Sequence, residues 1–154
     1  MARLRVPILL LALVVTMLSE GVGAVESTQA IVGFRVVADG IPEPLGGVPG
    51  DVTRGRALIV AREAANCVLC HAIPDPGVRF SGDLGPSLAG VGGRFTASQL
   101  RLRVADNLRV QPGTIMPSYY KIDGLDRVAP AYRGKPILSA AEVEDVVAYL
   151  TTLR

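Results

Sequence analysis

A mainly α-helical fold, with three main helices joined by long connecting loops, is predicted by this chain of 154 residues. Two capping boxes, Thr96-Ala97-Ser98-Gln99 and Ser139-Ala140-Ala141-Glu142, each stand just ahead of apolar residues at helical spacing. Long stretches rich in glycine and proline separate them. The third observation is Cys67-Val68-Leu69-Cys70-His71, a C-x-x-C-H box and the attachment signature of c-type haem. Each thiol can add to one haem vinyl group, and His71 can then bind the iron from the proximal side. The helices are therefore expected to surround a covalently bound haem c, one per chain.

The N-terminus reads as an export signal. Arg3 and Arg5 form a positive region, Pro7 to Leu18 an apolar run, and Val22-Gly23-Ala24 a small-residue cleavage point. The run is shorter than the ~20 apolar residues a spanning helix needs, so cleavage after Ala24 and no stable membrane anchor are expected. The positive mean hydropathy owes much to this segment. Removing residues 1–24 takes two of the 16 basic and one of the 14 acidic residues, leaving a net charge of +1. That balance gives no electrostatic case for nucleic acid. Some 130 residues remain, enough for about one domain. With aromatics at 5% and no Trp, a large flat cofactor is expected to supply much of the core.

Residues 25–50 read as an extended N-terminal arm, either a disordered lead-in, which the sequence slightly favours, or a segment that lies on a partner, with Ile31 to Val37 as a weak strand candidate. Asp51 or Thr53 can cap a first helix running to about Asn66, with Leu58, Ala61 and Ala65 on one side. Gly55 costs ~1 kcal/mol there relative to Ala, so a close helix crossing is expected at it. Residues 72–95 form a long loop, expected to wrap one haem face. A proximal histidine needs a partner for its other ring nitrogen. Pro86 is placed to offer its carbonyl, an ordinary turn proline being the other reading. The Thr96 box opens a second helix with Leu100, Val104 and Leu108 on its apolar side, fraying near Asp106-Asn107. A proline-stiffened loop, Gln111 to Tyr120, follows. The Ser139 box opens the last helix, with Val143, Val146, Val147, Leu150 and Leu153 as its stripe. Glu142, Glu144 and Asp145 sit in its first turn, where the helix dipole favours negative charge.

Other uses of the cysteines fit poorly. A thioredoxin-like pair wants a preceding strand and a βαβ frame, and the segment before Cys67 reads as helix. A structural zinc site wants four ligands, whereas the chain holds one His and two Cys. For the distal iron position, His71 and both cysteines are already used. Met116 is the only methionine outside the signal segment, and it lies on a proline-flanked loop. Met/His ligation closes both axial positions and raises the haem potential, which suits electron transfer. The alternative is that Met116 fills the core and the position is open or taken by Lys121 or Tyr119.

The order of capped helix, C-x-x-C-H, Gly-Pro-x-Leu, Met-Pro loop and C-terminal amphipathic helix resembles monohaem cytochrome c. Over about residues 41–154 the likeness narrows to the SoxX family. The segments that carry it are Ala65-Asn66-Cys67, Gly85 to Gly92, Thr114 to Tyr120, Gly124 to Ala129 and Tyr132 to Leu138. The resemblance implies a cytochrome c-like fold with Cys67 and Cys70 as thioether attachments and His71 and Met116 as axial ligands. It further implies a periplasmic heterodimer with a SoxA-like cytochrome, dihaem or monohaem, that oxidatively couples thiosulfate to a cysteine of a SoxYZ-like carrier protein. In that family the S–S bond forms at the SoxA haem, so no catalytic residue is expected here, only passage of electrons to a downstream acceptor. Lys121, Arg127, Arg133 and Lys135, interspersed with aromatic and apolar residues, have the mixed character of an interface. A freely diffusing respiratory cytochrome c is the alternative function.

Overall fold

Gly55 decides how the first and last helices meet. The computed structural model describes residues 31–63 and 65–154, so the export signal read in residues 1–24 lies outside the described residues. The α-helices run α1 (Val52–Val60), α2 (Cys67–Cys70), α3 (Val91–Arg94), α4 (Ala97–Asp106) and α5 (Ala140–Thr152). Short 3-10 turns stand at Leu45–Gly47, Asn107–Arg109 and Pro130–Tyr132. The three main helices are α1, α4 and α5. A Cβ on Gly55 would lie 1.8 Å from the Asp145 carbonyl oxygen, so only glycine lets α1 cross α5 this closely.

Asp51 caps α1, its carboxylate accepting the Arg54 N–H at 2.8 Å. The helix ends at Val60 rather than near Asn66, with Ala61 in extended backbone. Tertiary bonds compete with helix propensity there. The Ala65 carbonyl accepts the Tyr119 hydroxyl at 2.7 Å, and Arg62 reaches the Phe80 carbonyl at 2.8 Å. The buried stripe of α1 is therefore Gly55 and Ile59, with Leu58 partly covered, and not the expected row through Ala61.

Both capping boxes form with their reciprocal bonds, at Thr96/Gln99 and Ser139/Glu142. The α4 side chains Leu100, Leu102, Val104 and Ala105 are buried, as are Val143, Val146, Val147 and Leu150 of α5. Of the three acidic residues expected in the first turn of α5 only Glu142 stands there; Glu144 and Asp145 lie in the next turn and are buried in ion pairs. Arg101 forks onto Glu144 with bonds of 2.7 and 2.8 Å, both side chains being buried. Arg54 forks onto Asp145 at 2.7 and 2.8 Å from the exposed side. The Asp145 carboxyl is thereby held below its ordinary range, chiefly by its bond to Arg54.

The lead-in reading of the arm needs correction over its described part: Val32 is bonded to the Tyr120 hydroxyl, and Phe34 and Val36 pack on the core. Ile41 and Leu45 are 1% and 3% exposed and belong to the core. The Ile41 N–H donates to the Ser98 carbonyl, and the Leu45 N–H donates to Glu144. Apolar burial at these two positions outweighs the flexibility that the surrounding Gly and Pro suggest. Nor is Ile31 to Val37 a strand: the ladder there is a single bridge between Val37 and Gly40.

Candidate haem-binding site

The haem box folds as one short turn of helix. Asn66 precedes it in left-handed backbone (φ 55°), a region asparagine tolerates better than most residues. Cys67 to Cys70 form α2, and His71 leaves it in extended backbone with its N–H donating to the Cys67 carbonyl at 2.9 Å. The following loop is laced to the box by main-chain bonds. The Gly82 N–H donates to Val68, Gly85 to Cys70 and Leu88 to Ala72, at 2.8–2.9 Å.

That lacing brings Pro86 to His71. The His71 Nδ1 lies 2.7 Å from the Pro86 carbonyl oxygen. A carbonyl can only accept, so Nδ1 carries the proton and Nε2 keeps its lone pair free for a metal. Gly85 makes the approach possible: a Cβ there would fall 2.4 Å from the His71 Cε1.

Met116 comes from the loop after α4. Cys67, His71 and Met116 line one cleft together with Ile59, Leu88, Val104, Tyr119, Leu138, Val146 and Leu150. Cys70 is not on that wall; it closes α2 one residue before His71. The two other candidates for the distal position are engaged elsewhere. The Tyr119 hydroxyl donates to Ala65, and the Lys121 Nζ lies 3.6 Å from the Asp106 carboxylate. Burial pushes the Tyr119 hydroxyl upward and the Cys67 thiol up to about 11, so both are neutral in the haem-free polypeptide.

The cytochrome c family model matches residues 52–154. The chain belongs to the cytochrome c family. A chain in the crystal structure of SoxXA from P. pantotrophus is 39% identical, with a TM-score of 0.72 over 78% of this chain and 93% of that one. No curated protein matches. The likeness puts this cytochrome c with the SoxX subunits, whose function is electron transfer and whose cofactor is one haem c. The residues present fit that group. Two thiols for attachment and an imidazole for the iron are at hand in one short box, the wall is otherwise mainly aliphatic, and the side-chain-free Gly85 gives the imidazole its seat.

Several residues that shape this cytochrome's site escape sequence reasoning. Tyr119 pins the segment before the haem box, and Gly85 makes room for the His71 ring. Asn107 and Thr114 bond each other beside Met116. The only local signal is the Thr114 spacing of two residues before Met116, typical of a hydroxyl turning back on the backbone. The expected interface stretch also divides. Tyr119 and Tyr120 are core, whereas Arg127, Tyr132 and Arg133 are exposed.

Proposed function

We propose that this chain is the exported electron-transfer subunit of a SoxAX complex, working in the periplasm with a SoxA-like cytochrome. The complex oxidatively couples thiosulfate to a cysteine of a SoxYZ-like carrier and hands electrons to a downstream acceptor. Residues 1–24 are the signal, 25–50 the arm and 51–154 the cytochrome c domain. The family match from residue 52 supports the last boundary. Among the described residues no helix is long and apolar enough to cross a membrane.

In this reading Cys67 and Cys70 hold the haem through thioethers, and His71 and Met116 bind its iron. The observation that carries it is a single apolar cleft lined by Cys67, His71 and Met116, with Tyr119 and Lys121 committed elsewhere. When bound, the haem supplies a one-electron couple. Pro86 holds the His71 ring in one orientation and one tautomer. The aliphatic wall excludes water, which keeps the site's dielectric low and favours the less charged state. Met116 would hold the iron opposite His71 and leave no open position for oxygen or a sulfur substrate. Coupling thiosulfate to a thiol forms one S–S bond and releases two electrons and a proton. This chain has no cysteine beyond Cys67 and Cys70, so it has no thiol for that bond and its share is the onward passage of electrons.

Affinity purification from the native host should yield a second cytochrome, and reduction by thiosulfate should need both that partner and a thiol carrier protein. A lone monomer would favour the diffusing carrier. Reduction with neither protein present would overturn the division of labour.

A further inference from the structure

We propose that Asp106 and Asn107, neighbours where α4 ends, clamp the Met116 loop at two points and so set how readily the methionine sulfur leaves the iron. The proposal rests on the reading of Met116 as the distal ligand. The backbone departs from helix at Asp106 (φ −152°, ψ 77°) and resumes as the 3-10 turn Asn107–Arg109. From this break the two adjacent side chains reach opposite flanks of one loop. The Asn107 Nδ2 donates to the Thr114 Oγ1 at 3.0 Å, and the same oxygen accepts the Met116 N–H at 3.2 Å. The Asp106 Oδ1 accepts the Ser118 hydroxyl at 3.0 Å. Thr114 and Ser118 each stand two residues from Met116, one on either side.

Met116 itself packs partly against the core, but apolar contacts do not hold the residues on either side of it. Ile115, at the loop's tip, is 77% exposed, and Pro117 is exposed as well. The anchors, by contrast, are 2% and 8% exposed at Asp106 and Asn107. Lys121 and Arg109 stand 3.6 and 3.9 Å from the other Asp106 oxygen and balance its buried charge. A thioether is a neutral ligand with no charge to hold it on a metal. Its residence on the iron then depends on how firmly the chain presents it, as for ligands whose outer partners carry ten- to a hundredfold in metal affinity.

Imidazole binding to the ferric holoprotein, followed by haem absorption, reads the departure of the sixth ligand directly. Thr114→Val and Ser118→Ala should each speed binding about tenfold, while Thr114→Ser keeps the parental rate. Asn107→Leu tests the same arm as Thr114→Val if that variant yields no holoprotein. Tyr149→Phe, which loses a bond to Asp75 outside this loop, should lower the denaturation midpoint without changing the imidazole rate; a purely structural role for the clamp residues would give that same pattern. A parental rate at either arm, with Met116→Ala altered, overturns the two-point clamp alone. A Met116→Ala holoprotein with parental spectrum and rate overturns the ligand reading and the clamp with it.

Discussion

Gly85 shows how a residue with no side chain can shape a metal site. The His71 ring occupies the space a Cβ would fill, and its Nδ1 is tied to the next carbonyl along, that of Pro86. Gly85→Ala therefore forces the ring and the loop apart. The overpacking should cost about 1–3 kcal/mol, seen as a lower guanidinium midpoint of the holoprotein. It should also shift the haem absorption as the imidazole loses its partner. A variant with parental midpoint and spectrum would mean that the ring is not held by this contact. Pro86 itself was legible in the sequence because its type suggested a stiff carbonyl at a useful place. Gly85 was not, since glycine in a Gly-Pro pair reads as a turn and nothing local reveals which side chain will lie against it.

At the scale of elements, the pairing of Arg101 on α4 with Glu144 on α5 ties three parts of the chain together. Both Glu144 oxygens bind Arg101, one also accepts the Leu45 N–H, and Arg101 donates to the Ile41 carbonyl at 2.7 Å. Arg101→Ala would leave a buried carboxylate without its cation, and a loss of about 3–5 kcal/mol is expected. Replacing the pair together, Arg101→Met with Glu144→Leu, should recover most of that loss, because no charge is then left uncompensated. Urea denaturation of the three proteins tests both statements; a double variant as weak as the single would contradict the second. The helices that carry these residues were readable from their capping boxes and apolar spacing. The pairing was not, because Glu144 follows Glu142 closely and reads as part of an acidic helix start, where a dipole would already account for its charge, although only Glu142 stands in the first turn. The early end of α1 was hidden for a related reason. Ala61, Arg62 and Ala65 are acceptable in a helix, and the bonds that draw Arg62 and Ala65 away come from Phe80 and Tyr119.

For the whole molecule, acid is the condition that loosens the contact between the haem loop and α1. Asp75 lies in that loop and binds Arg56 of α1, the Gly77 N–H and the Tyr149 hydroxyl of α5. The Arg56 bond, followed by that from Gly77, lowers its carboxyl from an ordinary 3.8 to about 2. A group lowered in the folded state stabilises it fully above its ordinary value and loses that contribution as pH falls through the native one. Stability should therefore decline between pH 4 and 2, with Asp145 acting in the same sense. Asp75→Asn should flatten that decline while lowering stability at neutral pH, measured by thermal unfolding across the range. An unchanged acid limb would mean that Asp75 does not govern it.

The sequence by itself determined the cofactor and the main helices, and it narrowed the candidates for iron ligands to a short list. These depend on local order: a five-residue attachment box, capping residues three apart, and a residue census that leaves Met116 after the others are used. Tertiary structure alone decided that Gly40 to Gly50 is part of the packed body and that α1 stops before Ala61. It also decided that Cys67, His71 and Met116 share one cleft. Each of these depends on which distant groups compete for the same space or the same carbonyl, and such contacts between residues far apart in the chain leave no trace in residue order.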